Sequence, residues 1–507
     1  MSATITLTIA GHTNAGKTAL ARTLLCRDIG EVRDAPHVTH EVETHEWIAA
    51  EGWTLRLADT PGIDGAPRLL RRLKHAGNPL GWFMRELWDR TTDSGFYHTQ
   101  IALRQVMRET DVVLYVVDTV AEHSGPGEAT LAEIDLLAQL GKPAIAVLNQ
   151  TGAAWTHAEA AAVESRWRDA LSGRSIVRAV MTLDAFTRCW PCELLLLEQV
   201  ARVVPGEQEA GIHILGTALQ IRHRAVFEES MRAIAATVSG MAADTEALER
   251  AGFLGSARRV VTRLVAGSRE AKAIEQLHAR LKERLAQRYA RLLDRLIELH
   301  GLSGRSLLRT LATGARDMTG APESRLMMRE LAFAAAGGAG AGGALDVVVG
   351  GASFGAGMAI GAVIGTLAAI GLGAHDLAER EENQAGWRHE AVVNHLGACM
   401  RAYLSVAHYG RGQGAWRDHD GPAYWLGVVE NVIQKQRDLL LRAIRENDGA
   451  LARMCEVIGA EVLAALYPNA AKRITLPPTD AGPAGFDSST KLHEETRSEA
   501  RAPVEPS

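Results

Sequence analysis

Short apolar runs alternate with longer stretches of helical spacing through the first two fifths of the chain, the pattern of an open α/β sheet. Ile5 to Ala10 is apolar, and Trp53 to Ala58 alternates in the manner of a strand. Asp111 to Asp118 is an almost continuous apolar run bounded by acids, as expected of a strand covered on both faces, and Ala144 to Leu148 reads as another buried strand. Ser175 to Leu183 supplies a last strand. Ala19 to Leu25, residues 127–140 and Glu193 to Val203 carry helical spacing, and Gly141-Lys142-Pro143 stops the second of these helices. The alternation predicts a mostly parallel, doubly wound sheet over residues 1–205.

Beyond residue 205 the pattern turns helical. Ile274, Leu277, Leu281, Leu285, Tyr289, Leu292, Leu296 and Leu299 form one stripe of a long amphipathic helix inside the basic segment Ala251 to His300, within a helical region spanning 206–330. The arginines there read as its solvated face, with anionic lipid as the alternative. From Phe333 to Ala374 the chain is almost entirely small or aliphatic, with Asp346 as its single charge. Its uncharged part, Val347 to Ala374, exceeds the roughly 20 residues that span a bilayer. Gly357, Gly361 and Gly365 give a smooth face for close helix packing. We therefore expect an apolar Gly/Ala-rich hairpin over 331–375, bent near Leu345 to Gly351, that either meets a membrane or membrane protein or packs inside a bundle. Arg329, Glu330, Asp376, Glu379 and Arg380 leave no charge asymmetry to orient it. Helices follow over 376–473, and the Pro-, Ser-, Glu- and Thr-rich tail at 474–507 has the composition of a disordered segment.

Chemistry enters between the first strand and the first helix. Gly11-His12-Thr13-Asn14-Ala15-Gly16-Lys17-Thr18 is a complete G-x-x-x-x-G-K-T loop in the strand-to-helix setting the motif requires. Its backbone N–H groups, through Ala19, suit a β-phosphate at a positive helix end; Lys17 suits the β- and γ-phosphates, and the Thr18 hydroxyl suits Mg²⁺. Asp59-Thr60-Pro61-Gly62 follows the strand at Trp53, where an acid holds the Mg²⁺ shell and a glycine N–H meets the γ-phosphate.

With both motifs in place the chain resembles the translation-factor-like P-loop GTPases, and within them the Era/TrmE-like branch. The resemblance implies GTP/GDP and Mg²⁺ as ligands. It places the switch I threonine at Thr39, within Asp34-Ala35-Pro36-His37-Val38-Thr39-His40-Glu41-Val42, although His37, Val38 and His40 depart from the usual Gly-Thr-Thr-Arg. It also makes Asn14 a ligand for K⁺, as in the potassium-activated members; the alternative is that asparagine merely tolerates a left-handed loop backbone. Catalytic roles then fall to Lys17, Asn14 and Thr39.

Two departures matter. Ile63 stands where Ras-like proteins have a water-orienting glutamine, which implies slow turnover stimulated by a cation, a partner or a G-domain dimer. Asn149-Gln150-Thr151-Gly152 stands where the branch has Asn-Lys-x-Asp, so Asn149 is kept while the guanine-reading acid is lost at Gly152. Losing such a charged partner costs about 1.5–3 kcal/mol.

Residues 64–104 are longer than the fold needs and collect Trp82, Phe83, Leu87, Trp88, Phe96 and Tyr97, either as a packed insertion or as a surface reporting nucleotide state. Cys189-Trp190-Pro191-Cys192 has redox spacing, but proline also opens helices. Five cysteines in 507 residues and the lack of a signal peptide lead us to expect a cytoplasmic protein, with a position peripheral to the inner face of the cell membrane as the option that the apolar segment 333–374 opens. A net charge of −5 and a pI near 6.4 give no global nucleic-acid signature.

The order of G domain, charged helices, Gly/Ala-rich segment and further helices resembles a family of bacterial GTPases whose C-terminal region is a domain of unknown function. The expected role is a nucleotide-dependent switch with slow GTPase activity. A dynamin-like membrane remodeller and a non-hydrolysing nucleotide-binding scaffold are the alternatives.

Overall fold

The computed structural model describes residues 3–29, 41–73, 94–151, 155–247, 269–304, 377–381, 384–417, 421–446 and 450–474. Thr39, Gly152, Trp82, Phe83, Leu87, Trp88, the apolar segment 333–374 and the tail from 475 lie outside these residues.

The chain runs β1 (Ala3–Ala10), α1 (Lys17–Leu25), β2 (Glu43–Ala50), β3 (Trp53–Asp59), α2 (Ala66–Leu73), α3 (Ser94–Glu109), β4 (Val112–Asp118), α4 (Glu128–Ala138), β5 (Ala144–Asn149), α5 (His157–Leu171), β6 (Val177–Thr182) and α6 (Trp190–Ala201). The strands form one sheet in the order β2-β3-β1-β4-β5-β6. All neighbouring pairs are parallel except β2 with β3. This is the expected doubly wound sheet. α6 begins three residues before the expected Glu193 because Pro191 fits a first helical turn, where no backbone N–H is needed.

Alternation along each strand sends side chains to opposite faces. On one face Val113, Tyr115, Val117, Ala146 and Leu148 pack with apolar residues of α2 to α5. On the other, Ile5, Leu7, Ile9, Leu114 and Val116 pack under α1 and α6, and that core continues without a break into the C-terminal helices.

Those helices begin with α7 (Gly206–Ala242), followed by β7 (Thr245–Ala247), α8 (Arg269–Leu299), β8 (Leu377–Glu381), β9 (Gln384–Trp387), α9 (His389–Ala407), α10 (Tyr424–Lys435), α11 (Arg437–Glu446), α12 (Ala450–Leu466) and α13 (Ala471–Ile474). The three short strands make a second, antiparallel sheet, β7-β9-β8. α7 is the spine of this half. It packs on α6, β2, α8, α9 and α12, and Gly211 admits the ring of Trp53 at its G-domain end.

The expected amphipathic helix is α8, whose Leu277, Leu281, Leu285, Tyr289, Leu292 and Leu296 are buried. Several of its arginines are ion-paired: Arg284 with Asp244 at 3.0 Å and with Glu246, and Arg295 with Glu298 at 2.8 Å. Among the described residues no helix is long and apolar enough to cross a membrane.

Candidate functional site

The G-x-x-x-x-G-K-T loop connects the end of β1 to the start of α1, at the carboxyl edge of the parallel strands where ligands of open α/β sheets bind. Gly16 has φ 83°, and a Cβ there would lie 2.4 Å from Asn149 Nδ2, so only glycine lets the loop close against the end of β5. Asn14 is also left-handed, with φ 65°, a conformation asparagine tolerates. This backbone conformation by itself accounts for an asparagine there.

Lys17 is buried, and its Nζ donates to the carbonyls of Gly11 at 3.1 Å and His12 at 2.7 Å. Burial lowers the pKa of its ammonium, with Asp59 and Glu133 opposing that shift. Its charge therefore sits in the loop with carbonyl dipoles as its direct partners, ready to be taken over by stronger anionic acceptors.

Asp59 ends β3 beside α1, and its Oδ2 accepts from the Thr18 hydroxyl at 2.5 Å. Among the described residues its Oδ1 is buried without a hydrogen-bond partner. Burial pushes this carboxyl up to about 6, against the opposing effects of the Thr18 hydroxyl and Lys17. An orphaned buried carboxylate oxygen beside a helix-terminal hydroxyl is the donor set a hard divalent cation satisfies, so Mg²⁺ fits these two residues.

The segment after Asp59 is docked on the loop. Thr60 donates its hydroxyl to Ile9 O at 2.7 Å, and the Ile63 N–H donates to Gly11 O at 3.0 Å. Gly62 lies against Thr13, whose hydroxyl donates to Asp64 Oδ2 at 2.6 Å. The Ile63 side chain is fully buried in the core with Ala66 and Leu69, turned away from solvent.

His12 departs from a simple phosphate-loop role. Its imidazole turns to α4, where Nδ1 stands 2.8 Å from Glu133 Oε1, while Tyr115 donates to Glu133 Oε2 at 2.9 Å. The Glu133 hydrogen bond, offset by burial, raises the His12 pKa, and burial raises that of Glu133. The one local sign of this contact along the chain is an acid set among the apolar positions of α4.

On the base side, Asn149 joins three segments. Its Nδ2 donates to Ala15 O at 2.7 Å and its Oδ1 accepts from Ala185 N at 2.8 Å. Gln150 donates to Asn14 O at 3.0 Å. The structure thus gathers Gly11 to Ala19, Asp59, Gly62 and Asn149 at one edge of the sheet.

Residues 6–150 match the family described as 50S ribosome-binding GTPase. The N-terminal domain is a P-loop GTPase domain. Residues 168–384 of the same chain match a domain of unknown function. No curated protein matches the chain. Among solved structures, a variant of Era from Aquifex aeolicus bound to GDP and AlF4⁻ is 17% identical over 40% of this chain and 57% of its own, with a TM-score of 0.30. Era in complex with MgGDPNP and a segment of 16S ribosomal RNA is 17% identical over 40% of this chain and 58% of its own, with a TM-score of 0.31. A mutant NFeoB from S. thermophilus bound to GMPPNP is 15% identical over 45% of this chain and 72% of its own, with a TM-score of 0.23. The chain therefore spans little more than half the length of the Era structures it matches.

The CxxC pair also receives a place. Cys189 caps α6 by accepting from the Cys192 N–H at 3.3 Å, and the two sulfurs are paired as a disulfide.

Proposed function

We propose that the chain is a GTP-binding switch that hydrolyses GTP slowly. The observation that carries this reading is the buried, unpartnered Asp59 Oδ1 beside Thr18, next in sequence to a buried Lys17 held by loop carbonyls.

On this reading the N–H groups from Thr13 to Ala19 receive the phosphates, and Lys17 exchanges its carbonyl partners for β- and γ-phosphate oxygens. Thr18 and Asp59, joined by Thr39, would hold Mg²⁺, which would supply positive charge to the phosphates when bound. Gly62 offers its N–H to the γ-phosphate, which separates Asp64 from Thr13 and so registers GTP in the segment leading to α2. Water attacks the γ-phosphorus and the bond to the β–γ bridging oxygen breaks, giving GDP and phosphate. With Ile63 buried, no side chain at that position orients the water, which is why turnover is slow. Asn14 is the residue through which K⁺ would accelerate it, and exchange of K⁺ for Na⁺ in a single-turnover assay tests that role.

The helical half is the output. Residues 333–374 are its proposed contact with a membrane or membrane protein, tested by liposome flotation of the full chain against a deletion of that segment; equal flotation removes the segment from the reading.

The central claim is tested by titrating fluorescent GTP and ATP analogues in Mg²⁺, with Lys17→Ala beside the wild type. We expect GTP preference and, in Lys17→Ala, loss of binding by about a hundredfold or more. Unchanged hydrolysis in Lys17→Ala would sink the assignment.

A further inference from the structure

The loop that should read guanine has lost its own acid, because Gly152 stands where the resembling family places a carboxylate. A carboxylate reaches the same loop from the neighbouring strand. Asp184 follows β6, and its Oδ2 accepts both the backbone N–H of Thr151 at 2.8 Å and the Thr151 hydroxyl at 2.6 Å. Its Oδ1 accepts the N–H of Phe186 at 2.7 Å. The acid therefore stands one residue from position 152, immediately before Ala185, whose N–H holds Asn149.

This placement is rigid for a reason that lies far away in the chain. Ala185 O accepts from the Thr23 hydroxyl at 2.8 Å and from Gly412 N at 3.2 Å. Phe186 O accepts from Gly410 N at 3.2 Å, and Arg188 N donates to His408 O at 2.9 Å. Thr187 and Tyr409 form an antiparallel bridge between these two segments. The loop carrying Asp184 is thus clamped between α1 and the strap 408–413 that follows α9. A fixed carboxylate does not have to be ordered when a base arrives, which favours selective recognition.

We infer that Asp184 is the guanine-reading acid of this protein, relocated from the loop after β5 to the loop after β6. The inference rests on the nucleotide-binding reading above and supplies its missing specificity element. Guanine presents two donors on one edge, N1–H and the 2-amino group, and a carboxylate accepts both side by side. Among the described residues Oδ1 accepts one bond, from Phe186, and the Thr151 hydroxyl on Oδ2 can rotate aside, so each oxygen has room for one of the two donors. Adenine offers a lone pair at N1 and no 2-amino donor, and so gains nothing from this carboxylate.

The test is a set of nucleotide affinities for the full chain in Mg²⁺. Asp184→Asn keeps one acceptor oxygen, for either the Thr151 or the Phe186 N–H, and replaces the other acceptor by an amide donor. It should lose GTP affinity about 10- to 100-fold, leave ATP affinity unchanged, and gain affinity for xanthosine triphosphate, whose 2-oxo group accepts where guanine donates. Adding Gly152→Asp to that variant should restore GTP preference. A wild type that prefers GTP alongside an Asp184→Asn variant with unaltered base preference overturns the inference and leaves the GTP-binding reading intact. Equal loss of GTP and ATP affinity assigns Asp184 a structural role and also overturns it. A wild type with no preference between GTP and ATP overturns both. If Asp184→Asn does not fold, inosine triphosphate and wild type decide: it lacks the 2-amino group, and affinity equal to that for GTP overturns the inference.

Discussion

Gly410 passes so close to Ala185 that a Cβ on residue 410 would lie 2.1 Å from the Ala185 carbonyl oxygen. A backbone oxygen is not the end of a flexible side chain, so the strap and the base-side loop cannot both keep their places if residue 410 carries a side chain. Gly410→Ala should therefore destabilise the protein by about 1–3 kcal/mol and weaken GTP binding more than a comparable change elsewhere. Gly427, in the interior of α10, is the control, because a Cβ there would meet nothing within 4 Å. Gly427→Ala should leave nucleotide binding alone and stabilise by up to about 1 kcal/mol. Thermal unfolding and a nucleotide titration on both variants check the contrast.

Asp59 and Thr18 lead to a prediction about Mg²⁺. If the orphaned Asp59 Oδ1 is a metal ligand, Asp59→Asn and Thr18→Ala should both bind GTP with little dependence on Mg²⁺, while the wild type weakens by about tenfold or more when EDTA removes the metal. Comparing titrations with and without EDTA in the three proteins separates this from general weakening, in which the variants would remain as Mg²⁺-dependent as the wild type.

Lys17 makes a different prediction for folding than for binding. Its buried ammonium is held by two carbonyls and carries a desolvation cost, so Lys17→Met should leave the thermal stability of the nucleotide-free protein within about 1 kcal/mol while removing the stabilisation that GTP gives the wild type. A large loss of stability in the nucleotide-free variant would mean that the lysine is a structural element of the loop.

The parts of this molecule that are legible in the sequence are those in which a short segment contains its own reason. The loop at Gly11 to Thr18, the apolar strands β4 and β5, and the stripe on α8 from Leu277 to Leu296 are of this kind. β2 is not, since Glu43, Thr44, His45 and Glu46 on an edge strand lack the apolar run of the central ones. His12 and Glu133 meet across 121 residues with only the acid among the apolar positions of α4 as a local sign, and Gln413 and Phe186 meet across 227 with none. Asp184 is hidden for the same reason. An acid after a strand looks like an ordinary turn residue until the fold brings Thr151 to it.

The last prediction concerns Glu193, which is almost fully buried on α6 between Arg188 and His223. Burial alone would raise its pKa, but Arg188 at 2.8 Å and His223 at 2.9 Å outweigh burial and hold it at about 2. Burial depresses His223. A carboxyl whose folded pKa lies below its unfolded value of 4.5 stabilises the native state fully above that value and loses its contribution as pH falls toward 2. Glu193→Gln leaves the Arg188 guanidinium buried without its counter-charge, which should cost about 3–5 kcal/mol at pH 7. The stability gap between wild type and variant should then narrow as the pH falls from 4.5 toward 2. Urea unfolding of both proteins across that range is the measurement, and a gap that stays constant with pH would show that Glu193 contributes through packing rather than through its charge.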